Sequence, residues 1–213
     1  MTAIKAVFSD QIPDQFKAQL LADVDGLMQA GTVLKDDGAT TVVKIAVAEN
    51  SYIIKRYNAR SLGHAVKRSL RQSRAERCWQ MSTEFQRVGL TVAEPIAMLE
   101  RRFGPFCGNA YFVSACVDGV ELLEWLPQQQ EPVQQQVAAE IRQLFSTFLQ
   151  HRLSHGDMKA TNLLWSDQKI VLIDLDAACV HRFSVLARRG YLRDVRRFIR
   201  NGECFAEILK SPL

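Results

Sequence analysis

The chain has 213 residues, of which 47% are hydrophobic and 23% are charged, and its formal net charge at pH 7 is +4. This length suits one domain or two small lobes, and the apolar content excludes a chain dominated by disorder. Apolar runs such as Ile170–Ile173 have the length of a strand, so no membrane-spanning helix is predicted. Residues 1–10 lack the basic-then-apolar order of a secretory signal, and we therefore expect a cytoplasmic protein.

The cysteines are scattered along the chain and form no C-x-x-C pair. There are five of them: Cys78, Cys107, Cys116, Cys179 and Cys204. An odd number without paired spacing favours neither a zinc site nor a disulfide framework, and it is typical of a reducing compartment.

The first clear element is a β-hairpin. Val43, Ile45 and Val47 alternate with more polar or smaller residues, which is the period of a strand with one buried face. The segment Glu49–Ser51 is predicted to turn the chain into a second strand, Tyr52–Tyr57, which is rich in β-branched and aromatic residues.

A long basic helix is predicted to follow, from about Gly63 to Val88, with Gly89 in the position of a C-terminal cap. Its apolar members lie on one stripe at helical spacing: Ala75, Cys78, Trp79 and Phe85. Extended segments are then predicted at Ile96–Leu99 and Ala110–Val113.

The second half of the chain reads as mainly helical. The segment Val117–Gly119 has the character of a hinge, and Pro132 opens an amphipathic helix that ends near Arg152. The element order predicts an α+β protein with two lobes: a β-rich N-lobe over residues 1–116 and a short, mainly helical C-lobe over residues 117–213.

Positive charge is concentrated in two clusters. The first contains Lys67, Arg68, Arg71, Arg74 and Arg77; the second contains Arg182, Arg188, Arg189, Arg193, Arg196, Arg197 and Arg200, relieved only by Asp194. Such clusters suit a phosphate-bearing partner, which could be a nucleotide, a nucleic acid or an anionic membrane surface. A solvated helix face explains either cluster equally well.

Candidate catalytic side chains are most concentrated at His155–Leu164, which has the sequence H-G-D-M-K-A-T-N-L-L. An apolar strand follows this segment and leads to Asp174. Phosphoryl transfer depends on positioning and charge neutralisation, and this segment supplies both. Asp157 could orient the attacking hydroxyl and accept its proton, and Lys159 could reach the transferring phosphoryl group. Asn162 and Asp174 offer the hard oxygen ligands that Mg²⁺ prefers.

This segment resembles the catalytic and metal-binding loops of the protein-kinase-like superfamily. The glycine between His155 and Asp157 is more similar to prokaryotic small-molecule and lipopolysaccharide kinases than to eukaryotic protein kinases. The upstream passage at 73–97, with its helix and its G-L-T-V-A-E-P-I-A segment, resembles the lipopolysaccharide core kinases, which act on heptose and Kdo. The resemblance covers about residues 30–180.

The resemblance implies a two-lobed protein-kinase-like fold, ATP and Mg²⁺ as cofactors, and a set of roles. Lys55 would contact the α- and β-phosphates, and Asp157 would be the base, supported by Lys159. Residues 114–117 would hold the adenine through backbone groups. His155 would buttress the catalytic loop, Asn162 and Asp174 would bind the metal, and Asp176 would support them.

The chain also departs from the kinase pattern. It lacks a G-x-G-x-x-G loop, so backbone amides or Lys35 would have to cover the phosphates. The helix glutamate that pairs with the strand lysine is not obvious, and Glu76 is the best candidate. The 39 residues after Asp174 are too few for a full peptide-docking C-lobe.

The leading hypothesis is a kinase for a sugar hydroxyl in the inner core of bacterial lipopolysaccharide. A short C-lobe suits a lipid-linked glycan or another small hydroxyl-bearing acceptor, and the basic helices suit peripheral contact with the inner face of the inner membrane. The alternatives are a protein kinase, an antibiotic- or choline-type phosphotransferase, and a pseudokinase regulatory module. A nucleic-acid binder ranks last because no recognised nucleic-acid motif is present, so no nucleic acid is expected as a partner.

Overall fold

The computed structural model describes residues 2–58, 72–103 and 106–209. The chain divides into two compact units, the first of which contains Met1–Gln80 and Glu94–Cys116. The second unit contains Met81–Ala93 and Val117–Leu213. The stretch Met81–Ala93 therefore groups with the catalytic loop, although it precedes residue 117 in the chain.

The first unit is built on an antiparallel sheet of six strands in the order β1-β5-β6-β4-β3-β2. The strands are β1 (Thr2–Phe8), β2 (Thr32–Asp36), β3 (Thr40–Val47), β4 (Asn50–Tyr57), β5 (Pro95–Phe103) and β6 (Phe106–Ala115). The predicted hairpin and both extended segments are thus confirmed. The turn of the hairpin differs from the prediction, because Val47 pairs directly with Asn50. Ala48 adopts a φ of 53°, the conformation that a two-residue hairpin turn requires at its first central position.

One face of this sheet is covered by helix α1 (Asp14–Gln29), for which the sequence analysis made no prediction. Phe16, Leu20, Val24 and Met28 recur every four residues and are buried in one cluster with side chains of the sheet. Asp23 interrupts the helix with a φ of −157°, and its carboxylate accepts the amide hydrogen of Gly26 at 3.0 Å. The second half of α1 thus has its own side-chain cap.

A carboxylate on α1 adds a polar attachment to the sheet. Asp25 accepts hydrogen bonds from the Tyr111 hydroxyl at 2.9 Å and from Arg56 Nη1 at 3.2 Å, and it forms an ion pair with Arg101 at 3.0 Å. Burial and the neighbouring Asp25 raise the pKa of Tyr111 to about 12. The phenol therefore stays a hydrogen-bond donor throughout the physiological pH range.

The basic helix is present as α2 (Arg74–Arg87), but the prediction of one continuous helix from about Gly63 is wrong. Residues 72 and 73 are not helical, and the Ser73 hydroxyl accepts the Glu76 amide hydrogen at 3.0 Å, which caps α2 at its beginning. Gly63 itself lies outside the described residues.

Gly89 has a φ of 84°, and the Leu90 amide donates to the Phe85 carbonyl at 3.0 Å. The predicted glycine cap is therefore confirmed, with the hydrogen bond of a Schellman motif.

The second unit is mainly helical and packs around α4 (Glu131–Gln150), which confirms the predicted amphipathic helix. The other helices are α3 (Leu122–Trp125), α5 (Ser184–Ile199) and α6 (Glu203–Ile208). Five short strands complete the unit: β7 (Val120–Glu121), β8 (Leu153–Ser154), β9 (Leu163–Ser166), β10 (Lys169–Leu172) and β11 (Cys179–Val180). In the core, Phe145 of α4 makes edge-to-face contacts with Tyr191 and Phe198 of α5, which join the two helices.

Candidate active site

The H-G-D segment follows β8 directly and leads through a 3-10 turn, Ala160–Asn162, into β9. Strand β8 is buried and pairs with β11, so both flanks of the loop are attached to the core. The loop is therefore held at both ends, as a catalytic loop requires.

His155 is fully buried and links two loops through its ring. Its Nε2 lies 3.0 Å from the Ile173 carbonyl, and its Nδ1 lies 3.3 Å from the Asp157 amide. Because the carbonyl can only accept and the amide can only donate, the ring is neutral with its proton on Nε2. Burial lowers the pKa of His155, although Asp194 and other neighbours act in the opposite direction. The imidazole thus fixes the backbone of the candidate base to that of Ile173, the residue before Asp174.

Asp194 holds the same loop from α5, and the sequence analysis missed this role. Its buried carboxylate accepts the backbone amides of His155 at 2.6 Å and Gly156 at 3.0 Å. Burial raises the pKa of Asp194, and the two amide hydrogen bonds oppose that shift. The sequence offers one signal for this role, which is a single acidic residue in an arginine-rich helix. If such a residue lies on the buried side of the helix, its carboxylate needs hydrogen-bond donors there.

The carboxylate of Asp157 contacts a cation at each oxygen. Arg197 Nη1 lies 2.5 Å from Oδ1 and also donates to the Gly156 carbonyl at 2.7 Å. Lys159 Nζ lies 3.0 Å from Oδ2. Asn162 Nδ2 donates to the Asp157 backbone carbonyl at 2.8 Å, so the Oδ1 atom of Asn162 takes no part in this hydrogen bond. Asp157, Lys159 and Asn162 are thus brought together, and Arg197 joins them although the sequence analysis did not single it out.

Gly156 is required at its position for two independent reasons. Its φ of 85° lies in the left-handed region, and a Cβ atom there would stand 2.3 Å from the Ala177 carbonyl oxygen. The catalytic loop consequently approaches the segment after β10 more closely than any side chain would allow.

The candidate metal ligands lie on two loops that are joined by the backbone. The Ile173 amide donates to the Asn162 carbonyl at 3.1 Å, and Asp174 follows with a φ of 60° at the start of a 3-10 turn, Leu175–Ala177. Asp174 is exposed and Asp176 is half-buried. One carboxylate and one amide oxygen suit Mg²⁺, which keeps waters and takes its remaining ligands from phosphates. Within the described ranges, no group of three or more His, Cys, Asp and Glu side chains could hold a metal by itself.

The first unit carries the remaining candidates. Lys55 lies half-buried on β4, and its Nζ is 5.5 Å from the centroid of the Tyr57 ring. Glu76, at the start of α2, accepts from Lys5 Nζ at 2.6 Å. Its expected pairing with Lys55 stays a prediction.

Lys35 lies on the edge strand β2, beside the turn that stands where kinases carry a glycine-rich loop. Its Nζ is 3.0 Å from Asp37, and contacts with Lys35 and the Thr40 amide lower the pKa of that carboxyl. The turn amides already have carboxylate acceptors within the turn. Gly38 donates to Asp36 at 3.1 Å, and Ala39 and Thr40 donate to Asp37 at 3.0 and 2.8 Å.

A β-rich antiparallel unit, a mainly helical unit and an H-G-D-x-K-x-x-N loop together define the class of protein-kinase-like folds. Among solved structures, the chain is similar to one described as "WaaP in complex with acyl carrier protein", with a TM-score of 0.66 and 14% sequence identity. The match covers 98% of this chain and 90% of that chain. It confirms the predicted fold class.

The model of the "Lipopolysaccharide kinase (Kdo/WaaP) family" matches residues 34–205. The chain therefore belongs to this family, as the sequence resemblance indicated, and family membership makes it a phosphotransferase of the kinase type. No curated protein matches the chain.

Proposed function

We propose that this protein transfers the γ-phosphoryl group of ATP to a sugar hydroxyl in the inner core of bacterial lipopolysaccharide. The observation that carries the proposal is the environment of Asp157, a half-exposed carboxylate on a loop that Asp194 and His155 hold in place. Such a carboxylate can meet an acceptor hydroxyl without reorganisation of the loop.

In the proposed reaction Asp157 orients the acceptor hydroxyl and takes its proton as the new O–P bond forms and the bond to the leaving ADP breaks. Lys159, whose ammonium lies 3.0 Å from Asp157, is close enough to compensate charge on the transferring group. Arg197 acts through Asp157 and is a positioning residue. Protonation of Asp157 is reversed by release of the proton to solvent.

The proposed contacts with the nucleotide follow from the sequence resemblance. Lys55 would contact the α- and β-phosphates, with Glu76 as its expected partner, and Lys35 would lie over the phosphates. Asn162 and Asp174 would hold Mg²⁺, which neutralises phosphate charge when bound.

The proposed acceptor is a lipid-linked glycan, and the proposed location is the cytoplasmic face of the inner membrane. The arginine-rich helix α5 supports both, because a basic surface suits a phosphorylated, membrane-borne acceptor. No nucleic acid is expected as a partner.

The direct test incubates the protein with labelled ATP, Mg²⁺ and purified core oligosaccharide from which phosphate has been removed. Label in the oligosaccharide supports the proposal, and its position identifies the phosphorylated hydroxyl. Label that appears only in a protein substrate or in an aminoalcohol would assign the chain to another kinase class.

One observation favours the pseudokinase alternative, since the turn amides that could bind phosphates are occupied by Asp36 and Asp37. A thermal shift with Mg-ATP separates the two functions, because a ligand that binds only the folded state raises its apparent stability. We expect a higher Tm at millimolar Mg-ATP. The absence of a shift would favour a module that does not bind nucleotide.

A further inference from the structure

Helix α5 has an outward side on which apolar residues and arginines follow one line. Val185, Leu192 and Ile199 are spaced seven residues apart and are all exposed, and Arg189 and Arg196 lie between them. Seven residues make almost two full helical turns, so these five residues share one stripe, here called the α5 outer face. The side chains that α5 buries lie on the opposite side: Ala187, Gly190, Asp194 and Phe198.

This surface carries no negative charge of its own. The single acidic residue of α5 is Asp194, which is fully buried and bonded to the catalytic loop. At the beginning of the helix the apolar character extends to Phe183, 60% exposed, and Leu186, 46% exposed. The Arg182 guanidinium lies 5.6 Å from the centroid of the Phe183 ring. Large exposed apolar side chains beside arginines mark an interaction surface and are uncommon on an idle helix face.

We propose that the α5 outer face, together with Phe183, docks this protein on an anionic lipid bilayer. The helix has 16 residues and a length of about 24 Å, and it would lie in the plane of the membrane surface. The apolar side chains would enter the boundary between headgroups and acyl chains. The arginines would bind lipid phosphates while their aliphatic stems follow the apolar surface.

The chemistry of the face argues against a nucleic acid as its occupant. A nucleic acid would match the arginines but not the three apolar side chains between them. An integral span is excluded for α5, because among the residues that the structure describes no helix is long and apolar enough to cross a membrane. An acidic protein is the competing occupant, since it too could match charge and apolar surface.

The inward side of the same helix gives the docking a consequence. Asp194 binds the amides of the catalytic loop, and Arg197 binds Asp157. A helix that lies on the bilayer would therefore hold the catalytic loop one helix diameter, about 10–12 Å, from the lipid surface. Only the approach of the catalytic loop to lipid-linked acceptors rests on the proposed function. The docking itself does not, because binding to lipid can be measured without any reaction.

The test is cosedimentation of the full chain with vesicles of phosphatidylcholine, with and without phosphatidylglycerol, at low and high salt. We expect binding to the anionic vesicles that weakens with salt, and little binding to phosphatidylcholine alone. The double variants Phe183→Ser/Val185→Ser and Arg189→Gln/Arg196→Gln should each weaken binding by about tenfold or more.

Matched controls are available on other surfaces. Val33 and Leu34 are exposed on β2 to about the same fraction as Phe183 and Val185, so Val33→Ser/Leu34→Ser removes two similarly exposed apolar side chains elsewhere. Lys44→Gln/Lys169→Gln removes two exposed positive charges from β3 and β10. Both control variants should bind vesicles as the wild type does.

The proposal is overturned if the wild type ignores anionic vesicles, if the controls lose as much binding as the α5 variants, or if poly-L-glutamate binds this face and vesicles do not. An assay of phosphoryl transfer to soluble oligosaccharide distinguishes failure of the membrane-docking proposal from failure of the proposed kinase function. The α5 variants should keep that activity, whereas lost transfer with intact vesicle binding would count against the kinase assignment alone.

Discussion

At the scale of single residues, Asp157 lies between two cations that come from different parts of the chain. Lys159 is two residues away, and Arg197 comes from α5, forty residues later. Arg197 also bonds the Gly156 carbonyl, so it holds both the carboxylate and its backbone. In the proposed mechanism Arg197 therefore positions the base, and Asp157 itself takes the proton.

Replacement of Arg197 should therefore impair turnover and spare binding. We expect Arg197→Gln to lower kcat by about tenfold or more, equivalent to about 1.4 kcal/mol of transition-state stabilisation, with little change in the KM for ATP. Arg197→Lys should recover part of the loss because it restores a donor near the carboxylate. Arg200→Gln, an exposed arginine one turn further on, is the control and should keep wild-type kcat. A raised KM at unchanged kcat would show that Arg197 serves binding instead.

Two glycines allow the cost of a left-handed backbone conformation to be measured separately from the cost of a steric clash. Gly156 and Gly89 have φ values of 85° and 84°, but only at Gly156 would a Cβ meet the backbone of Ala177. Gly89→Ala should cost about 1–2 kcal/mol of unfolding free energy from the left-handed conformation alone. Gly156→Ala should cost more, because the two loops must also separate. Equal losses in urea denaturation would contradict the close approach of these loops.

At the scale of elements, α5 binds the backbone amides of the catalytic loop through the carboxylate of Asp194. Asp194→Asn keeps the shape of the side chain but places an amide group against a backbone amide donor, which leaves one buried donor without an acceptor. Hydrogen bonds to charged groups contribute about 1.5–3 kcal/mol each, so we expect a loss of about 2–3 kcal/mol in unfolding free energy. Asp10→Asn, at an exposed position, is the control. Unchanged stability of the Asp194 variant would mean that α5 does not hold the loop.

Elements with strong periodicity could be predicted from the sequence. The hairpin at β3 and β4, the helix α4 and the glycine cap at Gly89 follow from local patterns. Helix α1 gave no such signal, because Asp23 interrupts it and its apolar residues recur every four positions without a clear start. The sequence predicts the hairpin turn one residue too late, since Ala48 is not a residue type that usually marks a left-handed conformation.

At the scale of the whole molecule, the candidate site could be predicted only where it is continuous in sequence. Asp157, Lys159 and Asn162 fall within six residues of one another, so their meeting in one loop follows from the chain itself. Asp194 and Arg197 meet that loop only through the packing of α5. In the sequence Arg197 is one of several arginines in a basic cluster, and Asp194 is the acidic residue among them. No local pattern distinguishes an arginine that faces the catalytic loop from one that faces solvent.

In the proposed mechanism Asp157 is the base of the kinase reaction and Asp174 is a metal ligand. The most direct measurement compares Asp157→Asn and Asp174→Asn in two assays, Mg-ATP affinity and phosphoryl transfer to core oligosaccharide. Asp157→Asn should keep its fold and its Mg-ATP affinity while turnover falls by about 10²–10⁴-fold. Asp174→Asn should lose both Mg-ATP affinity and turnover. Wild-type transfer by Asp157→Asn on the true acceptor would contradict the account.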